Sequence, residues 1–257
     1  MSTLRIAFLH LAPCPGDLTY NRQLIAHAVT TAAAHGAEWI LTPELCVCGY
    51  DFLDTLGTAW IVPPPDAWMT SLCQRAAQLA VTIFLSHPEQ DSTTGKYYNT
   101  LFVIASDGRI LGTHRKIHTL SGAERWSSPG ETAEPVLVPP VGQVGMLICA
   151  DAYTTKIATH LKAQGAQLLV SAAAWGPGIH GPEGEWERCS LETGLPLLVC
   201  NRTGLDLKLG FIGAESVVVK DGQRLCTFTS PRSALGLIEW DLAMQTCGTR
   251  EPQRVDL

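Results

Sequence analysis

Residues 144–151 read Val144-Gly-Met-Leu-Ile-Cys149-Ala-Asp151, and the fold class turns on how they are taken. The apolar run is short and ends in small and polar residues, which is the pattern of a buried strand. A helix-compatible segment follows, from about Tyr153 to Gln164. Strand, turn and helix in that order make the unit of an α/β sheet, whose ligands collect at the carboxyl ends of strands opposite helix N-termini. Cys149 sits where this strand ends. A thiol there meets a helix dipole and a substrate together, and its ordinary pKa of about 8.5 can fall far enough to supply a thiolate. The plainer alternative makes Cys149 one more small buried hydrophobe, as most free cysteines are.

The same rhythm extends in both directions. Upstream, Leu4 to Leu11 is a near-continuous apolar strand, and Asn21 to Ala34 carries helical spacing with Leu24, Ile25, Ala28 and Val29 on one side. A short strand, Trp39-Ile-Leu-Thr-Pro43-Glu44, ends in an acid. The spacing then predicts a helix over 66–79 and a strand over 81–86. Strands over 98–104 and 109–116 are joined at Ser106-Asp107-Gly108, a hairpin signal. Downstream, strands are expected over 167–172, 197–200 and 234–241, a helix over 183–193, and a second hairpin through Lys220-Asp221-Gly222. Alternating helices and strands interrupted by hairpins imply mixed sheets covered by helices, within a single domain spanning 1–257. No linker, repeat or low-complexity stretch divides the chain.

Composition narrows the class of function. With 257 residues, 46% hydrophobic and 16% charged, the chain is long enough for one large α/β core. A net charge of -6 without any basic run argues against a nucleic-acid partner. Nine cysteines are scattered, several in apolar runs, which fits a reduced, cytoplasmic setting rather than a disulfide framework. Cys46-Val-Cys48 has no second pair at ligand spacing, so no metal is expected. The first apolar stretch is too short for a signal peptide, and no stretch approaches a membrane span.

Three ionisable groups end apolar strands: Glu44, Lys116 and Cys149. A buried carboxylate can take a thiol proton, and an ammonium can steady the oxyanion that forms on a substrate carbonyl. Such a set performs acyl transfer without histidine. Spacing alone leaves open whether the three meet, since charges at strand ends are commonly just solvated.

Their neighbours carry more. Pro43-Glu44-Leu45 with Gly49-Tyr50, His114-Arg115-Lys116-Ile117-His118, and Ile148-Cys149-Ala150-Asp151 resemble the three signatures of the nitrilase, or carbon–nitrogen hydrolase, superfamily. Tyr98-Asn99-Thr100, the Asp107 to Gly112 hairpin, Glu124 with Pro129-Gly130, Trp186 to Glu192, Asn201 to Gly204 and Phe211 to Ser216 resemble further parts of it. The likeness runs from about Leu4 to Asp241.

The resemblance implies an α-β-β-α sandwich, usually paired with a second copy into a homodimer, and needs no cofactor. By position it makes Glu44 the general base, Lys116 the stabiliser of the tetrahedral intermediate and Cys149 the nucleophile. Glu124 falls where a second glutamate helps position substrate, and the Ala150 N–H completes an oxyanion hole. Tyr50 and Trp175 are expected to wall the substrate pocket. Asp151 is expected to support the turn, and His118 to be structural beside Lys116. Members specialised for nitriles commonly carry Glu where this chain has Asp151, and a long C-terminal extension, so an amidase acting on a small linear carboxamide or carbamoyl compound is favoured. A nitrilase or an N-acyl transferase on the same thioester is the nearest alternative. A papain-like Cys–His enzyme would need a histidine orienting Cys149, and a non-catalytic binding protein would have no use for the full set. Thr155-Lys156 stand where many relatives have Pro-Glu, which weakens transfer of any one substrate. The loop over 175–185 either covers substrate or merely connects; if it covers, His180, Glu183 and Glu185 point to a polar or cationic substrate.

Overall fold

The computed structural model describes residues 2–178 and 181–257. In chain order its strands are β1 (Thr3–His10), β2 (Trp39–Leu41), β3 (Thr82–Gln90), β4 (Tyr97–Ile104), β5 (Ile110–Arg115), β6 (Val136–Val138), β7 (Gly142–Ile148) and β8 (Leu168–Ala172). They continue as β9 (Leu197–Cys200), β10 (Leu205–Asp206), β11 (Leu209–Gly210), β12 (Ser216–Lys220), β13 (Gln223–Phe228), β14 (Ala234–Asp241), β15 (Thr246–Cys247) and β16 (Gln253–Asp256). The helices are α1 (Leu18–Ala34), α2 (Leu53–Leu56), α3 (Ala67–Leu79), α4 (Lys156–Ala163) and α5 (Glu185–Thr193).

One sheet is ordered β15-β14-β1-β2-β3-β4-β5, with β16 also pairing β14; the other is ordered β13-β12-β9-β8-β7-β6. Each is mixed. In the first, β1, β2 and β3 are parallel and β14, β4 and β5 antiparallel to their neighbours. In the second, β7, β8 and β9 are parallel while β6, β12 and β13 run antiparallel.

Side-chain alternation sorts each strand between two layers. In β1, Leu4, Ile6 and Phe8 join the core between the sheets, shared with Val144, Met146 and Ile148 of β7. Ala7 and Leu9 point the other way, into a layer with Ile25, Ala28, Val29 and Ala32 of α1 and Met69, Leu72 and Ala76 of α3. Those helical positions recur at three- and four-residue steps, so each helix buries one stripe. Both helices start at an aspartate cap: Asp17 accepts from the Tyr20 N–H at 2.9 Å and Asp66 from the Met69 N–H at 2.7 Å. The second sheet is covered by α4, through Ile157, Ala158 and Leu161, and by α5, through Trp186 and Cys189. At Gly145 the cover is close, because a Cβ there would stand 2.7 Å from Leu169 and 3.0 Å from Leu161. The layers are α-β-β-α, as the resemblance implies.

Two expectations need correction. The segment after Cys149 is not one helix from Tyr153: residues Cys149–Tyr153 form a 3-10 turn, and α4 starts only at Lys156. The Asp151 carboxylate, which bonds back to the Ile148 N–H at 2.9 Å, tightens the first turn. Strand β3 also runs past Ser86 to Gln90, because Pro88 and Gln90 still pair with Asn99 and Tyr97 of β4.

Candidate active site

Glu44 follows β2, Lys116 follows β5, and Cys149 follows β7. The two sheets face each other, so strand ends from both are brought to one place. Glu44, Lys116 and Glu124 are all fully buried. The Lys116 ammonium donates to Glu44 Oε1 at 2.6 Å and, in a very short contact, to Glu124 Oε1. Asn99, inside β4, donates its side-chain amide to both carboxylates, at 2.8 Å to Glu44 and 3.0 Å to Glu124. The remaining oxygens are also held: Glu44 Oε2 accepts from the Ala174 N–H at 3.0 Å and Glu124 Oε2 from the Leu120 N–H at 2.8 Å. Every oxygen of both carboxylates is therefore satisfied, as buried charge requires.

Two carboxylates around one ammonium leave an excess negative charge in a dry place. Burial pushes Glu44 up to about 8; Lys116 opposes this and Glu124 adds to it. For Lys116, burial alone would lower the pKa, but the two carboxylates override it and hold the ammonium protonated. The Cys149 thiol is driven well above its ordinary value, first by burial and then by the Glu44 charge, with Lys116 and the Ala174 N–H pulling the other way. The resting pair is thus a thiol beside a carboxyl group with strong proton affinity.

Cys149 has a backbone φ of 45°, and Leu45, next to Glu44, has 50°. A non-glycine residue in that region costs of order 1–3 kcal/mol. Here the surroundings enforce it. Asp151, fully buried, accepts from the Ile117 and His118 N–H groups at 3.0 and 2.9 Å on one oxygen. On the other it accepts from the Ile148 N–H and from His114 Nε2 at 2.8 Å. It ties the strand that delivers Lys116 to the turn that delivers Cys149. Those bonds hold its carboxyl below the usual range despite the opposing effect of burial. Leu45 is fixed on its side by an N–H bond to Ser86 Oγ at 2.9 Å.

The thiol opens on a cleft of about 310 Å³, walled by Tyr50, Tyr153, Trp175 and Phe211, with Leu120, Ala174 and Lys208 among its other lining residues. Tyr50 meets Phe211 edge-on, its ring centroid is 6.0 Å from the Lys116 ammonium, and its N–H donates to Asp206 at 2.7 Å. Trp175 is wedged edge-on between Tyr153 and Trp186. Ala150 is buried immediately behind Cys149 in the 3-10 turn. His118 lies beside Lys116 with a partly exposed side chain 3.9 Å from Asp151.

The expected set Glu44, Lys116 and Glu124 is joined directly, with Cys149 in its field. Asn99 and His114 were within quoted motifs, yet sequence gave neither a role. For Asn99 the only signal is polarity inside a strand that otherwise buries mostly apolar side chains, and His114, the one buried residue of β5, carries none. Of the 175–185 loop, left open between cover and connector, Trp175, Gly176, Pro177 and Gly181 line the cleft while Glu183 and Glu185 do not, and Glu185 pairs with Arg188 at 3.2 Å within its own helix. His180 lies outside the described residues. Among the described residues, no group of three or more His, Cys, Asp or Glu side chains is arranged to hold a metal ion.

Comparison with known proteins is consistent with this architecture. A family model of carbon–nitrogen hydrolases matches residues 5–251. The N-carbamoylputrescine amidase of Arabidopsis thaliana is 26% identical over 276 residues, covering 95% of this chain and 90% of that protein. A nitrilase of Pyrococcus abyssi is 24% identical over 242 residues, covering 93% and 90%. Among solved structures, the amidase from Nesterenkonia sp. AN1 aligns with a TM-score of 0.78 at 25% identity, over 93% of this chain and 91% of that one. The structure is of a variant showing covalent addition of the acetamide moiety of fluoroacetamide at its active-site cysteine. Matched along nearly its whole length, and folded as its relatives are, the chain belongs to the carbon–nitrogen hydrolase family and is a hydrolase of carbon–nitrogen bonds.

Proposed function

We propose that the protein is an amidase that hydrolyses a small linear carboxamide or carbamoyl compound through a thioester on Cys149. The observation that carries this reading is the Glu44–Lys116–Glu124 cluster, buried and fully hydrogen-bonded, beside a cysteine that opens on the cleft.

The cycle follows from proton affinities. Glu44 accepts the Cys149 proton as Sγ bonds to the amide carbon. The carbonyl oxygen becomes an oxyanion, met by the Lys116 ammonium and the Ala150 N–H. Glu44, now protonated, gives its proton to the departing nitrogen as the C–N bond breaks, and ammonia or an amine leaves. Water then enters, loses a proton to Glu44 and attacks the thioester carbonyl. The acid departs and the thiol takes its proton back. Glu124 and Asn99 keep Glu44 and Lys116 in register throughout. A cleft of about 310 Å³ is at the small end of ligand pockets.

The amide reading over the nitrile one is supported by resemblance alone: Asp151, which accepts four bonds in the turn after Cys149, stands where members specialised for nitriles commonly carry Glu. The covalent adduct of the Nesterenkonia enzyme, an acetamide moiety carried on its active-site cysteine, supports a nucleophilic cysteine in a relative of this chain.

The test offers short amides and nitriles, measuring ammonia release and intact mass together. Amide turnover with an acyl adduct on Cys149 is expected, and Cys149→Ala should lose about 10⁴-fold or more in kcat/KM. Nitrile turnover without amide turnover, or unchanged activity in Cys149→Ala, would reject the assignment.

A further inference from the structure

One wall of the cleft is built from the β10–β11 hairpin, whose turn carries the exposed Lys208. Lys208 is the one charged side chain among the described residues lining the cleft. Its ammonium makes no ion pair or hydrogen bond with any described residue. The remaining wall is largely aromatic or aliphatic, from Tyr50, Leu120, Tyr153, Pro177 and Phe211.

The hairpin is held in place by the active site itself. Asp206, at the end of β10, is fully buried and bonds both the Arg202 guanidinium and the Tyr50 N–H. Arg202 in turn lies over the Phe211 ring at 4.4 Å and donates to the Pro13 carbonyl at 3.2 Å. The position of Lys208 is therefore tied to Tyr50, which stands beside Lys116. The acids Glu183 and Glu185 of the 175–185 loop do not line the cleft.

We infer that Lys208 selects substrates carrying an anionic group, such as a carboxylate, at the end remote from the scissile amide. The inference rests on the amide-hydrolysis reading above. In the bound state the amide carbonyl is at Cys149, the carbon chain lies along the aromatic wall, and the carboxylate meets the Lys208 ammonium. A charge-assisted hydrogen bond is stronger than a neutral one, and at the exposed Lys208 it has the modest strength of a solvent-screened ion pair. A substrate bearing an ammonium there would face like charge.

The experiment compares kcat/KM for three amides of similar length on the full-length protein: succinamate, butyramide and 4-aminobutyramide. Succinamate should exceed butyramide by up to about fivefold, the upper range for an ion pair at an exposed lysine, and 4-aminobutyramide should be poorest. Lys208→Met should bring the succinamate-to-butyramide ratio close to one, chiefly through KM. Lys208→Glu should move the preference toward 4-aminobutyramide. Lys162→Met, an exposed change on α4, should leave the ratio alone. Raising the salt concentration should shrink the wild-type ratio, since the contact is near solvent. Equal turnover of succinamate and butyramide, or a ratio unaltered by Lys208→Met, overturns the inference and leaves amide hydrolysis standing. Absence of turnover and of a Cys149 adduct with every amide overturns the underlying reading, and the inference with it.

Discussion

Glu44 works in a setting that makes it a better base than a free carboxylate and a worse one to keep ionised. Burial and the adjacent Glu124 put its pKa at about 8. The base is competent only when deprotonated, so kcat/KM should rise with pH through the neutral and mildly alkaline range. Glu124→Gln removes a neighbouring negative charge, which lowers the Glu44 pKa and should shift the acid limb of the profile to lower pH. A limb that stays in place would show that another group governs it. Asp151 gives the complementary case. Its four bonds join the turns bearing Lys116 and Cys149, and Asn in its place would point an N–H at one pair of donors. Asp151→Asn should lower kcat/KM by about tenfold to a hundredfold, in keeping with lost charge-assisted bonds, and should lower Tm as well. Because the Asp151 pKa is depressed, its contribution to stability is complete above about pH 4 and is lost as pH falls through the folded value. The wild-type advantage in Tm over Asp151→Asn should therefore narrow in acid. Glu44, Lys116 and Cys149 were legible in sequence because each ends an apolar strand inside a motif. Asn99 was not, since the carboxylates it bridges are 55 and 25 residues away.

At the scale of elements, periodicity found what it is able to find. The strands β9 and β14 fall where their apolar runs do, and the helices α1 and α3 where their stripes do. The missed pieces, α2, β6, β10, β11, β15 and β16, have two to four residues, too few for a period to stand out. They form through neighbours: β15 and β16 exist because β14 has an edge for them. Gly145 shows the opposite, a local residue dictated by packing. Its missing side chain lets α4 lie close on β7, and a Cβ would stand 3.0 Å from Leu161 and 2.7 Å from Leu169. Gly145→Val should cost about 1–3 kcal/mol, as overpacking usually does. The check is a lower urea midpoint by circular dichroism with an unchanged slope. Since α4 follows the nucleophile turn, activity should fall with the packing, whereas an exposed change on the same helix, such as Lys162→Met, should leave both alone.

Over the whole molecule, the two sheets bury a common apolar core and bring polar strand ends to its rim, so the chemistry draws on the stability that the core provides. Two of the buried carboxylates at the rim, Asp151 and Glu44, respond oppositely to pH. Asp151, depressed, contributes more as it ionises. Glu44, raised, does the reverse: between its unfolded value near 4.3 and about 8 the folded chain binds a proton that the unfolded chain has released. Stability from this group is full below the unfolded value and declines as pH rises through the folded one. Glu44→Gln removes that dependence. The amide leaves Lys116 with Glu124 as its one carboxylate partner, and its NH₂ faces the Ala174 N–H, so the variant starts with a lost bond of its own. That loss is the same at every pH. The difference in Tm, variant minus wild type, should therefore climb by several degrees from pH 5 to pH 8 and flatten above, while the variant stays inactive throughout. Calorimetry across that range measures it directly. A difference that does not change with pH would mean that Glu44 is already ionised at pH 5, and that the thiol must then give up its proton to a far weaker base.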